Sequence, residues 1–320
     1  MKAAIRRKYV TPEGLKIETV QKPVTKANEL LIKVHATTVN RTVCAIVTGK
    51  PFIMRFFIGL LKPKRSIPGT DFSGKVEAVG EEVKSFKIGD RVFGFYDEGL
   101  QSQAEYMTIS EEKAVATFPE NFTFEEAVAC LEGAHYAYNF INKVKISPEQ
   151  RIMVNGATGA IGSAMVQLLK NFGASVTAVC NTKNVSRITA LGVDRTIDYL
   201  KVDFTKDNDK YDYIFDAVGK STFGKCKSLL KKGGVYISSE LGPWAQNPFL
   251  ALVTPLFGTK KVKFPLPTNI KQSVLLMVDL MQKGKFKPII DRTYPLEQVA
   301  EAYKYVLTGE KTGNVILTIC

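Results

Sequence analysis

Through the first third of the chain, apolar and polar positions alternate in short blocks. Residues 30–34, 72–79 and 91–95 are β-rich runs, separated by turn signals at Pro68-Gly69 and Ile88-Gly89-Asp90. They predict a compact all-β unit. After Pro119 the period changes: residues 124–144 carry apolar side chains at helical spacing, and strands and helices then begin to alternate. Residues 151–154 read as a buried strand, 161–172 as a helix with Ile161, Met165, Leu168, Leu169 and Phe172 on one face, and 175–179 as the next strand. A helix over 184–191, a strand over 211–215, a helix over 222–230 and a strand over 235–238 continue the series. This is the pattern of a doubly wound parallel sheet with helices on both faces, the α/β class. Helices over 271–282 and 295–307 and a strand over 314–319 return the chain to its first domain. No internal repeat occurs, so the two domains differ and the cleft between them is where a ligand is expected.

The length of 320 residues suits two domains, and 45% hydrophobic with 23% charged residues excludes a fibrous or disordered chain. The longest apolar runs, 52–61 and 249–258, are interrupted by Arg55 and Pro255 and fall short of the roughly 20 residues a spanning helix needs. No membrane span is expected, and with no secretory signal at the start the cytoplasm is the default location. Cys44, Cys130, Cys180, Cys226 and Cys320 show no clustered spacing, which predicts reduced, mostly buried thiols. A formal charge of +13 favours anions, but the basic residues, such as Lys62, Lys64 and Arg65 or Lys260, Lys261 and Lys263, are scattered. No nucleic-acid-binding signature accompanies them, so no nucleic-acid partner is expected.

The most informative stretch runs through Gly156, Ala157, Thr158, Gly159, Ala160, Ile161 and Gly162, after a strand and at the opening of a helix. Gly156 and Gly159 turn the chain so that main-chain N–H groups approach a pyrophosphate, and Gly162 lets the helix pack close to the sheet. The spacing is G-x-x-G-x-x-G rather than the commoner G-x-G-x-x-G. At the end of the second strand, where a carboxylate would bind the ribose of NAD, stand Asn181, Thr182 and Lys183, with no acid between Gly162 and Asp194. Lys183 and Arg187, one helical turn apart, suit a 2′-phosphate. NADPH is therefore expected in preference to NADH.

These residues, with Val39-Asn40-Arg41, Pro68-Gly69-Thr70-Asp71-Phe72-Ser73-Gly74, Phe86-Lys87-Ile88-Gly89-Asp90-Arg91-Val92, Asp216-Ala217-Val218-Gly219 and Lys311-Thr312-Gly313-Asn314-Val315, carry a resemblance. The chain resembles the medium-chain dehydrogenase/reductase superfamily, in its zinc-independent quinone oxidoreductase branch. The resemblance implies a GroES-like β domain over 1–120 and 266–320, a Rossmann domain over 121–265, and a homodimer joined through an edge strand near 261–264. Zinc alcohol dehydrogenases of this superfamily have a histidine ligand where Thr70 stands here. His35 and His135 are the only histidines in the chain, and no metal site is expected, although Cys44 and Cys130 lie in comparable regions.

Without a Lewis acid, the acceptor must activate itself, as quinones and α,β-unsaturated carbonyls do. The resemblance places Asn40 at the nicotinamide end, where it binds ribose or substrate carbonyl or else holds a turn; Val43 stands where relatives often carry aspartate. His135, where many relatives have threonine, is a candidate for a cofactor hydroxyl or for proton donation, or else a buried, hydrogen-bonded histidine. Tyr136 is a second candidate acid. Tyr199 resembles a tyrosine near the adenosine, and Val218, Gly219, Leu241, Gly242 and Asn314 fall where relatives line the cofactor channel. The apolar segments 49–67 and 244–257 flank the cleft or serve subunit contact. The rival readings are a 2-enoyl thioester reductase and an NADPH-binding protein without turnover.

Overall fold

The computed structural model describes residues 1–319, which form two compact units: Met1–Glu132 with the chain from Asn269 onward, and Gly133–Thr268. The first unit opens with the antiparallel pair β1 (Lys2–Ile5) and β2 (Lys16–Thr19). It continues through β3 (Glu29–Thr38), β4 (Asp71–Val79), β5 (Arg91–Phe95), β6 (Tyr106–Ser110) and β7 (Val115–Thr117). Along β3 every second side chain, Leu30, Ile32 and Val34, enters a core shared with Phe72, Val76, Val92, Met107 and Ile109.

This unit is not purely β. Residues 41–48 form helix α1 (Arg41–Thr48), followed by the short α2 (Arg55–Ile58). The β-branched run Thr42-Val43 and Ile46-Val47 favours strand locally, but the face made by Val43, Cys44 and Val47 packs on Leu296, Val299, Tyr303 and Val306, and tertiary burial decides the outcome. Gly49, at φ 62°, closes the helix in the left-handed conformation. Residues 124–144 likewise give two helices rather than one, α3 (Phe124–Ala129) and α4 (Glu132–Ile141). A capping box between Thr123 and Glu126 starts α3. The sequence reading assigns α3 to the second domain; it packs on β3 and β4 of the first unit.

In the second unit β8 (Arg151–Asn155), α5 (Ala160–Asn171), β9 (Ser175–Cys180), α6 (Val185–Thr189), β10 (Arg195–Asp198), β11 (Tyr211–Asp216), α7 (Phe223–Cys226), β12 (Leu230–Ser238), α8 (Gln246–Phe257) and β13 (Lys261–Lys263) follow in turn. Their strands pair in parallel in the order β10-β9-β8-β11-β12-β13. The order reverses between β8 and β11, the switch point at which doubly wound sheets take their ligands. The strand interiors are almost wholly apolar, because helices cover both faces.

The chain then adds α9 (Ile270–Gln282), β14 (Ile290–Pro295), α10 (Val299–Thr308) and β15 (Asn314–Thr318) to the first unit. β15 pairs antiparallel with the end of β3, completing a sheet in the order β14-β15-β3-β4-β5-β7, with β6 also on β3. Cys44, Cys130, Cys180 and Cys226 are free and buried, whereas Cys320 lies outside the described residues. No helix among the described residues is long and apolar enough to cross a membrane.

Candidate functional site

At the switch point the chain leaves β8 through Gly156, whose φ of 81° favours glycine. A Cβ there would lie 2.7 Å from the Cβ of Val218. At Gly162, in the first turn of α5, an added Cβ would lie 2.1 Å from the main-chain oxygen of Gly156, so only glycine lets the helix begin this close to the strand. A Cβ on Gly159, by contrast, would meet only that same oxygen, at 3.9 Å. Gly159 is the N-cap of α5 and no side chain caps it. The first-turn amides of Ala160, Ile161 and Gly162 are left at the positive end of a twelve-residue helix, a ready anion site. The Ala157 amide is instead committed to the carbonyl of Val179, at 3.1 Å, and Thr158 is half-buried at the bend.

One contributor lies outside the sequence-derived set. A Cβ on Gly133 would stand 2.7 Å from the carbonyl oxygen of Ala160, so this glycine brings the start of α4 against the start of α5. A glycine inside an otherwise helical run was the available signal. Two residues on, His135 is buried, and burial pulls its imidazole down to about 4. The ring is therefore neutral at pH 7. Its Nε2 accepts from Asn139 Nδ2 at 3.2 Å, while Asn139 Oδ1 accepts from the Thr268 amide, so the ring proton belongs on Nδ1. Tyr136 is half-buried with its ring edge-on to His135 at 5.5 Å.

Beyond β9, Asn181 Oδ1 holds Asn184 Nδ2 at 2.7 Å, and Thr182 donates its hydroxyl to Asp198 at 2.5 Å. Asp198 is a carboxylate that lies beyond Asp194 in the chain. It ends β10 opposite Cys180, and parallel pairing carries it to Thr182. Lys201 also approaches Asp198, at 3.9 Å. Lys183 and Arg187 are exposed. Tyr199 is 47% exposed.

Beside the bend, buried Asp216 at the end of β11 organises the next loop. One carboxylate oxygen accepts from Asn155 Nδ2 at 3.0 Å and Gly219 N at 2.9 Å; the other accepts from Ser221 N at 3.1 Å and the Tyr236 hydroxyl at 2.9 Å. Val218 and Gly219 are thereby fixed against Gly156. Leu241 and Gly242 lie on the loop after β12, where the Leu241 carbonyl accepts from the amide of Asn247.

In the first unit the β3–β15 pairing brings together Asn40 and Asn314, residues far apart in the chain. Asn40 Nδ2 donates to Thr38 Oγ1 at 2.9 Å and to Asn314 Oδ1 at 3.5 Å, whereas Asn40 Oδ1 is buried with no partner. Asn314 is fixed in turn by the carbonyls of Ala129 and Ile289. Around them lies a buried polar cluster that sequence reading missed. Asp71 accepts from the amide and hydroxyl of Thr38 at 2.7 and 2.6 Å, and Glu132 accepts from Thr70 at 2.9 Å. Burial, aided by the charge of Asp71, raises the Glu132 carboxyl to about 8, and burial also raises Asp71. Burial lowers the ammonium of Lys311 to about 8, against the opposing pull of Glu132.

These residues do not fit a zinc site. Thr70 gives its hydroxyl to Glu132, and the buried thiol of Cys44 is pushed up to about 12. Among the described residues no three His, Cys, Asp or Glu side chains converge as a ligand set.

Because its raised pKa makes the protonated form of Glu132 the one the fold prefers, this residue contributes stability at pH 5 that is lost as pH rises towards 8. Glu132→Gln, isosteric and neutral, removes that dependence. Thermal melts of both proteins from pH 5 to 7.5 should show the wild type losing ground to the variant by on the order of a few degrees. A difference independent of pH would contradict the raised carboxyl.

Models for the alcohol dehydrogenase GroES-like domain and for zinc-binding dehydrogenase match residues 26–135 and 191–317. The chain is 32% identical to 2-methylene-furan-3-one reductase of Solanum lycopersicum, over 99% of this chain and 79% of that protein. It is 31% identical to the chloroplastic quinone-oxidoreductase QR1 of Triphysaria versicolor, over 95% and 94%, and 31% identical to the chloroplastic NADPH-dependent alkenal/one oxidoreductase of Arabidopsis thaliana, over 99% and 79%. The solved quinone oxidoreductase of Coxiella burnetii superposes with a TM-score of 0.88 at 24% identity, covering 100% of this chain and 99% of that one. The chain belongs to the medium-chain dehydrogenase/reductase superfamily, is quinone oxidoreductase-like within it, and is an oxidoreductase.

Proposed function

We propose that this protein is a zinc-independent, NADPH-dependent oxidoreductase that reduces a quinone or the carbon–carbon double bond of an α,β-unsaturated carbonyl, and that it works as a homodimer. The observation that carries the reading is the uncapped start of α5 at the switch point, bared by Gly156 and Gly162. Bound NADPH supplies the hydride. Amides at Ala160, Ile161 and Gly162 hold the diphosphate, while Val218, Gly219, Leu241 and Gly242 flank it. Lys183 and Arg187 pair with the 2′-phosphate, next to Asn181 and Thr182. Asp198 is engaged by Thr182 and Lys201. The exposed ring of Tyr199 stacks on the adenine.

Asn40 Oδ1, buried and unpartnered, accepts from a ribose hydroxyl, and Asn314 holds the Asn40 amide in that orientation. A quinone or enone delocalises the incoming electron pair onto its own oxygen, so the site needs donors rather than a metal. We assign those donors to the Tyr136 hydroxyl and to the neutral imidazole of His135. With its pKa held low, His135 acts through its N–H as a hydrogen-bond donor and not as an imidazolium acid. Support for the substrate class comes from relatives named for quinone, alkenal/one and furanone reduction.

For the homodimer the support is an edge strand, β13, with α8 beside it exposing Phe249, Leu252, Leu256 and Phe257. A second copy would cover both.

Three measurements test the reading. An NADPH-oxidation screen across quinones, enones, enoyl thioesters and simple aldehydes should give turnover with the first two, unchanged by a chelator; loss of activity on chelation contradicts the zinc-free assignment. Lys183→Glu should raise the KM for NADPH by roughly tenfold, the scale of one charge-assisted contact, with little change for NADH. Equal effects on both cofactors remove Lys183 from the phosphate site. Light scattering should show a dimer that Leu256→Glu turns into a monomer, and a wild-type monomer overturns that part.

A further inference from the structure

The first unit holds a cavity of about 160 Å³ that shares no residue with the dinucleotide turn. Its charged lining is Arg6, Lys64, Arg65 and Glu98, and its apolar wall includes Ile46, Phe57 and Ile58. Arg6, just past the end of β1, is only 3% exposed. Its guanidinium has little to hold it: Nη1 reaches the carbonyl of Val47 at a long 3.4 Å, the group lies 5.5 Å from the ring centre of Tyr9, and Nε has no partner. Among the described residues no carboxylate bonds to it. An arginine does not discharge at neutral pH, and a buried charge without a counter-ion destabilises the fold.

The neighbouring groups do not supply that counter-ion. Arg65 gives its guanidinium to the main-chain carbonyls of Glu98 and Gly99, and Lys64 is exposed. Glu98 is the one acid in the lining against three cations. From 49 to 70 the chain carries Lys50, Arg55, Lys62, Lys64 and Arg65 with no Asp or Glu.

We propose that this cavity is a binding site for a small organic monocarboxylate, its head on Arg6 with Lys64 and Arg65 at the rim and its short apolar body against Ile46, Phe57 and Ile58. The volume sets the size, since a cavity of roughly 150 Å³ accommodates a benzene ring. A six-carbon acid or benzoate fits this description. The site supplies what the fold leaves unpaired, so occupancy stabilises the first unit.

The test uses the full-length protein with hexanoate, benzoate, hexanol and inorganic phosphate, followed by calorimetry and thermal melting. Hexanoate and benzoate should bind one to one and raise the melting temperature, with hexanol silent and phosphate weaker. In Arg6→Met, hexanoate affinity should fall at least about tenfold, as for loss of a charge-assisted contact, while the melting temperature without ligand holds or rises because the unpaired charge is gone. If Arg6→Met does not fold, Lys64→Met with Arg65→Met must weaken hexanoate in its place. Absence of carboxylate binding, equal binding in the variants, or phosphate binding as tightly as hexanoate overturns the assignment.

Discussion

The contact on which the second unit depends is between two pieces of main chain. Gly162 in the first turn of α5 sits so close to the carbonyl of Gly156 that no side chain fits between them. That approach sets where the helix starts relative to the end of β8, and it places the start where the strand order reverses. The remaining features follow from this placement. Gly133 packs the start of α4 on the same turn, and Asp216 ties the following loop to Asn155. An uncapped helix end would ordinarily be a defect. Here the surrounding structure keeps it open, and an anionic ligand would satisfy it.

The first unit stores a different kind of unmet demand. Thr38 joins Asp71 to Asn40, and Thr70, next in the chain to Asp71, gives its hydroxyl to Glu132. Burial raises both carboxyls, and the charge of Asp71 raises Glu132 further. Asn40 is left with a free carbonyl oxygen and a fixed amide, which is what a residue meant to recognise a hydroxyl requires.

Features that depend on local periodicity were legible in the sequence. The parallel-sheet series and the glycine bend follow from spacing alone, because each strand of a doubly covered sheet is a continuous apolar run, but the face read for α5 does not hold: the helix is buried almost all round, and Phe172, just past its end, is exposed. Features that depend on long-range pairing were not. Asp198 reaches Thr182 only because β10 pairs with β9, and Asn40 meets Asn314 only because the last strand returns to β3. Glu132 looks like an ordinary helix N-terminal acid until Thr70 and Asp71 close over it. Helix α1 was hidden by β-branched residues whose packing against α10 outweighs their local preference.

On the proposed reading, amides at the start of α5 would carry the diphosphate. An amide-resolved NMR titration of the protein with NADPH addresses it directly, because each N–H reports its own hydrogen bond. The Ala160, Ile161 and Gly162 amide protons should move downfield together and saturate with the binding curve. Saturating NADPH with those three signals unmoved, while resonances elsewhere shift, would contradict it.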